Sequence, residues 1–193
     1  MSDFPFSIPR RDTPTVQPQN PFNHIQLTDT AVVSVPTANP PYERSSTTGT
    51  KLTQLSGLTI TPTSATQKVV LQLTLFGEWQ TNSHSASLSF KRVVGGTETW
   101  LDARAGDDDI GSRKPANGLF AITFYANDND STPEVLSITY VDEPGTTSPV
   151  EYDIYLINTS VPTTFNLNRT KTDSDDKNYE RGVSTFTLEC KGD

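Results

Sequence analysis

Three acidic loops contain the residues whose types and spacing could support chemistry. They are Asp107-Asp108-Asp109, Asp128-Asn129-Asp130 and Asp173-Ser174-Asp175-Asp176. Clustered carboxylates can bind calcium, and a pair of them can hydrolyse a glycosidic bond. Read as EF-hand loops, however, all three lack the bidentate Glu at the twelfth position, where Gly118, Thr139 and Ser184 stand instead. Solvated turns explain the same residues more simply, and irregular calcium sites stay an alternative.

The remaining catalytic inventory is small. His24 and His84 are the two histidines, and Cys190 is the one cysteine, so no intrachain disulfide can form. The chain has no nucleophile elbow, no phosphate-binding loop and no Cys/His pair at metal spacing. Four aromatic residues could stack on sugars, although packing in a core or interface explains them better: Tyr42, Trp79, Trp100 and Tyr125. We therefore predict a protein that is not an enzyme and needs no cofactor or metal.

Charge and hydropathy narrow the class of partner. The net charge is −8, and no basic run is longer than Arg10-Arg11, so the chain lacks the basic stripe that neutralises nucleic-acid phosphates. There is no run of 18 apolar residues and no apolar segment after a basic start. We expect no nucleic-acid partner, no membrane insertion and no export by a standard signal.

Proline placement divides the chain into two parts. Residues 1–50 contain eight of the fourteen prolines, which remove backbone donors and favour extended conformations. A disordered linker would have this composition, but it would have little use for aromatic and β-branched residues. We therefore predict an extended arm over residues 1–50 that lies in a groove of a partner. The arm residues expected to bind that partner are Phe4, Phe6, Ile8, Arg10, Arg11, Phe22 and Ile25.

Residues 51–193 show apolar residues at period two, with turn-forming residues between the runs. This pattern predicts an all-β domain, an antiparallel β-sandwich of about eight strands. The strands are expected near Leu55–Thr61, Lys68–Phe76, Ser85–Val94, Gly118–Tyr125, Glu134–Val141, Val150–Asn158, Thr163–Arg169 and Val183–Cys190.

Apolar residues also occur on the strand faces opposite the predicted core. Three pairs are expected on this second surface: Val70 and Phe76, Tyr155 and Ile157, and Phe186 and Leu188. Packing between the two sheets would cover some of them, and contacts between subunits would cover the rest. The sequence therefore predicts an oligomer.

The C-terminal region carries a recognisable series of motifs. A D-x-P turn precedes a strand, a later apolar strand ends in Asn-Arg, an Asp-rich loop follows, and R-G-x-S-T opens the last strand. The residues concerned are Asp142, Pro144, Asn168, Arg169, Asp173, Asp175, Tyr179, Arg181, Gly182, Ser184 and Thr185. Over roughly the last 50 residues the chain therefore resembles the C-terminal domains of tailed-bacteriophage and related viral structural proteins.

This resemblance implies a jelly-roll-like sandwich and a homotrimer. Within the motifs, Gly182 is expected to permit a turn into the last strand. Arg169 or Arg181 is expected to pair with the Asp loop, although either could instead be a solvated charge at the rim.

The arm decides which structural role the resemblance implies. A fibre protein has such a head at the end of a long shaft, whereas here only an extended arm precedes it. We expect a decoration, or cement, protein on the capsid surface of the virion, assembled in the host cytoplasm, whose arm binds the major capsid protein. The alternative is a receptor-binding tip or adaptor of a phage tail fibre or vertex spike, which would contact a tail or vertex protein and a host surface glycan.

Overall fold

The computed structural model describes residues 22–36, 49–81, 86–101, 120–121, 132–158 and 162–192. Within these ranges all strand pairs are antiparallel, and the strands form two sheets over one apolar core. The predicted all-β, jelly-roll-like sandwich is thereby confirmed. The described residues form twelve strands, whereas the sequence pattern predicts about eight.

The strands follow one another along the chain with turns between them. Their bounds are β1 Phe22–Leu27, β2 Ala31–Val35, β3 Thr50–Lys51, β4 Leu58–Ile60, β5 Lys68–Trp79, β6 Ala86–Val94, β7 Thr97–Trp100, β8 Phe120–Ala121, β9 Glu134–Asp142, β10 Val150–Asn158, β11 Thr163–Leu167 and β12 Ser184–Lys191. A short 3₁₀ helix, Thr53–Leu55, lies between β3 and β4. The strands missed from the sequence are β1, β2, β3 and β7.

Sheet A is built around β5, whose twelve residues make it the longest described strand. β9 pairs with one side of β5. On the other side, β12 pairs with the first part of β5 and β11 with its end. β1 then pairs with β12, and β2 pairs with β11. In sheet A, β11 and β12 therefore lie end to end beside β5. β1 and β2 lie end to end on the outer side of β12 and β11.

Sheet B is built around β10 and β6, which pair along nine residues. β3 and β4 pair with the other side of β10, while β7 and β8 pair with β6. The core lies between the two sheets, where Phe90 of sheet B stacks on Phe186 of sheet A with ring centroids 5.7 Å apart. Alternate residues of each strand therefore face this core.

One pair expected on the second surface faces the core instead. Phe186 and Leu188 are fully buried in the core cluster, because they pair with Leu73 and Leu71 on the inward side of β5. Val70 and Phe76 do face outward and are half-buried. On sheet B, Tyr155 is half-buried and Ile157 is fully buried outside the core cluster.

Part of the predicted arm belongs to the sandwich. β1 and β2 lie within residues 22–35, and Ile25, Leu27 and Val33 pack against the core. The prolines nearest to these strands, Pro21 and Pro36, border them without interrupting them, so the strand donors are kept. Residues 1–21 of the predicted arm, with Phe4, Phe6, Ile8, Arg10 and Arg11, lie outside the described residues.

Candidate functional site

Most of the C-terminal motif residues lie close together at the junction between β11 and β12. β11 ends at Leu167, opposite Gly77, and β12 resumes pairing at Thr185, opposite Thr74. Residues 169–183 therefore form an excursion from what is otherwise one line of pairing along β5. Asn168 and Ser184 stand at the two ends of the excursion, and its base is closed by a bridge between Arg169 and Arg181.

Asn168 is the centre of this junction. Its backbone has φ of 56°, a left-handed conformation that Asn tolerates better than most residues, and its side chain is fully buried. Its carboxamide nitrogen donates to the carbonyl oxygens of Leu27 at 2.8 Å and Asp29 at 3.0 Å. Its carboxamide oxygen accepts hydrogen bonds from Ser184. One side chain thus ties the β1–β2 bend to the start of β12.

Asp173 organises the excursion itself. Its carboxylate lies 3.1 Å from the Arg169 guanidinium and 2.6 Å from that of Arg181. The predicted pairing of the arginines with the Asp loop is therefore present, with both arginines on one carboxylate. Because this carboxylate pairs with both arginines, Asp173 acts as a structural clamp that holds the two ends of the excursion together.

A buried carboxylate anchors the excursion to β5. Glu78 has no exposed surface, and its Oε2 accepts a hydrogen bond of 2.6 Å from the main-chain N–H of Lys171. At the far side, the Thr132 hydroxyl donates to the Glu180 carboxylate at 2.5 Å. The excursion is therefore held on both sides, to β5 and to the residues that precede β9.

Gly182 is needed for a different reason from the one predicted. Its φ is not positive, so no turn requires glycine there. A Cβ at this position would instead lie 2.2 Å from the Cβ of Phe76. Real Cβ atoms essentially never come within 3.0 Å of such a neighbour. The absence of a side chain lets the excursion lie directly on β5.

Asp142 and Pro144 lie apart from this junction. Asp142 pairs with Val69 near the start of β5, whereas the main-chain N–H of Asn168 donates to the carbonyl of Phe76. Seven residues of strand separate these positions, roughly 23 Å. The structure therefore brings together Asn168, Arg169, Asp173, Arg181, Gly182 and Ser184 but not the D-x-P turn.

Asp142 has a charged partner that the sequence interpretation missed. Both of its carboxylate oxygens lie 3.0 Å from Nη1 of Arg92, and the Tyr152 hydroxyl donates to Oδ2 at 2.8 Å. Burial, together with the neighbouring Asp142 carboxylate, raises the pKa of Tyr152. The group borders a cleft of about 150 Å³ between β7 and β9, which Tyr140 and Leu101 also line.

The outward face of sheet B carries charges that neutralise one another. Lys51 lies 2.7 Å from Asp153, and Lys91 lies 2.5 Å from Glu98. The Lys91 ammonium also lies 4.7 Å from the centre of the Trp100 ring. Burial lowers the pKa of Lys51, but the hydrogen bond and charge of Asp153 outweigh it, so that pKa is raised overall.

Other residues considered from the sequence have simpler positions. Trp79 is fully buried and packs edge-on against Phe165 at 5.0 Å, while Trp100 packs against Tyr155 at 4.8 Å. Of the arm residues, Phe22 is 42% exposed beside His24, and Ile25 packs on the core. Tyr42, His84, Tyr125 and the loops at Asp107–Asp109 and Asp128–Asp130 lie outside the described residues.

Two kinds of feature are absent from the described ranges. In these ranges no three His, Cys, Asp or Glu side chains are placed to hold a metal ion together. The same ranges contain no helix with the length and apolar character needed to cross a membrane.

Comparison with known proteins gives distant likenesses in shape to solved structures. No family model matches the chain, and no curated protein matches it. Among solved structures, the chain is similar to the crystal structure of the infectious bursal disease virus VP2 subviral particle, with a TM-score of 0.33 and 12% sequence identity. The likeness covers 94% of this chain and 41% of that chain, so this chain spans well under half its length.

Proposed function

We propose that this chain is a viral structural protein, a homotrimeric capsid decoration protein whose residues 1–21 bind the outer capsid shell and stabilise it. The motifs of the C-terminal region, from Asp142 to Ser184, support the viral assignment through their resemblance to phage structural domains. The choice of decoration among viral roles rests on how the N-terminal segment is fastened to the sandwich.

That fastening is the observation that carries the proposal. β1 pairs with β12 over six residues, and β2 pairs with β11 over five. Tension applied to residues 1–21 along the direction of β1 loads all six pairs of the β1–β12 ladder together, and not one after another. Asn168 then transmits the load to the next sheet segment, because it binds the carbonyl oxygens of both Leu27 and Asp29. A segment that clamps a shell under internal pressure needs such an attachment.

Several arms bound to one particle would hold the protein there more firmly than a single arm. If each arm binds weakly, linking three of them in a trimer makes complete release rare, since a detached arm is held near its site. The apolar and basic residues assigned to this contact are Phe4, Phe6, Ile8, Arg10 and Arg11.

The proposal is tested by deleting residues 1–21 and mixing the protein with undecorated capsids. Deletion should leave a folded sandwich, because β1 begins at Phe22. Removing residues 1–50 would be a poorer test, since it also removes two strands of sheet A. We expect the full chain to coat the shell and the shortened chain to stay in solution.

Equal coating by both proteins would refute binding through the N-terminal segment. A second, full-length variant carries the quadruple change Phe4→Ser, Phe6→Ser, Ile8→Ser and Arg10→Ser, and it should also prevent coating. Labelled protein found only at tails or vertices would favour the alternative role in receptor binding over decoration.

A further inference from the structure

The middle of the outward face of sheet A differs from an ordinary protein surface in its lack of charge. One end of the face carries the exposed Lys68 and Lys191, and the other end has the buried Glu78. Between these ends, the outward positions on β9, β5, β12 and β1 are Val135, Ser137, Thr139, Val141, Val70, Gln72, Thr74, Phe76, Thr185, Thr187, Glu189, Phe22, His24 and Gln26. Glu189 has the one carboxylate among them, and Lys191 donates a hydrogen bond to it. In a chain with 20% charged residues and a net charge of −8, such a face is unusual.

This face also exposes apolar side chains at both of its ends. Val135 is 55% exposed next to the half-buried Phe76, and Val141 is 41% exposed next to the half-buried Val70. Phe22 lies in the same cross-strand row as Val141 and is 42% exposed. Val141, Val70 and Phe22 thus share one cross-strand row with Glu189, and apolar side chains grouped on one face typically mark a contact with another molecule.

The outward face of sheet B shows the opposite arrangement. It carries Lys51, Lys91, Glu98, Glu151 and Asp153, which form ion pairs with one another. Yet its centre is closed to solvent, because Ser89 and Ile157 have no exposed surface and Asp153 is 3% exposed. The centre of the sheet B face is thus buried within the chain, whereas the centre of the sheet A face is open to solvent, with Gln72 and Thr139 exposed.

We propose that the outer face of sheet A, defined by the fourteen positions above, binds a second copy of this chain. Two copies of a chain with a net charge of −8 repel each other over most of their surfaces. On this face they can approach without placing like charges together, and the threonine, serine and glutamine rows can form hydrogen bonds across the contact. Contact of this face with the same face of a second copy is two-fold and gives a dimer, so it is additional to the contacts of the proposed homotrimer.

The area of the face limits how tightly two copies are expected to bind each other. Four strands spaced about 4.8 Å apart and seven residues of about 3.3 Å each give a flat area of roughly 400 Å². Protruding side chains increase the accessible area, which still stays at the small end for specific contacts. We therefore expect a weak association that depends on protein concentration.

A matched pair of threonine substitutions tests this surface. Thr139→Lys places a cation at the centre of the outer face of β9, where Thr139 is exposed. Thr97→Lys makes the same change at an exposed threonine of β7 in sheet B. The molar mass of each protein is measured by light scattering across a dilution series, and thermal unfolding confirms that each variant is folded.

We expect the molar mass of the wild-type protein and of Thr97→Lys to rise above the 21.2 kDa of one chain as the concentration increases. Thr139→Lys should raise the dissociation constant about tenfold or more, because each contact would bury an unpaired cation. Val135→Lys, at one apolar end of the face, should have the same effect and replaces Thr139→Lys if that variant does not fold.

Two results would overturn the inference. One is a wild-type mass of 21.2 kDa at every concentration. The other is an unchanged dissociation constant in both face variants. Neither measurement uses capsids, so failure of the full chain to coat the shell would count against decoration alone. An unchanged dissociation constant in both face variants would count against this face alone.

Discussion

Ser184 gives both of its donors to one acceptor, the carboxamide oxygen of Asn168. The main-chain N–H donates at 3.0 Å and the hydroxyl at 2.6 Å, while the same hydroxyl oxygen accepts from the N–H of Phe76 at 2.9 Å. Hydrogen bonds to Asn168 on one side and to β5 on the other therefore fix the position of Ser184, the first residue of β12. Loss of the hydrogen bonds between Asn168 and Ser184 should therefore destabilise β12, β11 and the β1–β2 bend together.

Replacing Asn168 by glycine and by alanine separates two contributions to stability. Asn168→Gly keeps the positive φ and removes the side-chain hydrogen bonds, so we expect a loss of about 2–4 kcal/mol of unfolding free energy. Asn168→Ala should cost about 1 kcal/mol more, because alanine is strained in the left-handed region. Urea denaturation measures both. Equal stability of the two variants would show that the backbone conformation at this position relaxes.

Asp173→Asn tests the clamp on the excursion. Asparagine keeps the shape and tolerates the φ of 46°, but it loses the charge that faces Arg169 and Arg181. We expect a loss of about 1–2 kcal/mol, measured by urea denaturation at low salt. Arg181→Met is the control and should cost less than about 1 kcal/mol, since the Arg181 side chain is 53% exposed. A larger loss in Arg181→Met than in Asp173→Asn would contradict this ranking.

Gly182→Ala tests the close approach of the excursion to β5. The added methyl group would meet Phe76 at 2.2 Å, and we expect the resulting displacement to cost about 2–4 kcal/mol. Phe76→Ala in the Gly182→Ala protein should recover part of that loss by making room. A double-mutant cycle on thermal unfolding measures the coupling. Additive effects of the two substitutions would mean that the strain has another origin.

Tyr152→Phe should show a pH-dependent effect. Near neutral pH the variant loses the hydrogen bond to Asp142, which should cost about 1–2 kcal/mol. Because the folded-state pKa of Tyr152 is raised, this group stabilises the fold fully below its unfolded pKa, near 10, and that contribution falls as the pH rises beyond it. The stability difference between wild type and Tyr152→Phe should therefore shrink above about pH 10. A difference that grows there would contradict the direction of the shift.

Period-two alternation was enough to find the strands that carry most of the core. β5, β6, β9, β10 and β12 were predicted close to their observed bounds, because each buries one face in a continuous apolar row. β7 was missed although Gly95-Gly96, a strong hairpin signal, directly precedes it. β1 was assigned to the arm because its inward face has only Ile25 and Leu27 as apolar members and prolines are frequent around it.

The site residues were foreseen only in part. The Asp loop and its arginines could be paired from the sequence, because opposite charges close together in the chain can meet. The contact of Gly182 with Phe76 could not, since it depends on the register of strands more than a hundred residues apart. Arg92 and Asp142 could have been found, because each continues an inward row, after Phe90 and after Tyr140 respectively. Two opposite charges placed inside a core are expected to pair.

The excursion between β11 and β12 gives this fold a position where its length can change. Asn168, Ser184 and the Arg169–Arg181 bridge close its base, so the pairing along β5 continues as though the intervening residues were absent. Residues 174–178 at its tip are exposed. Because longer loops cost little additional closure entropy, related chains can differ in length and composition at this tip, and a foreign peptide can be displayed there at a defined distance from the sheet.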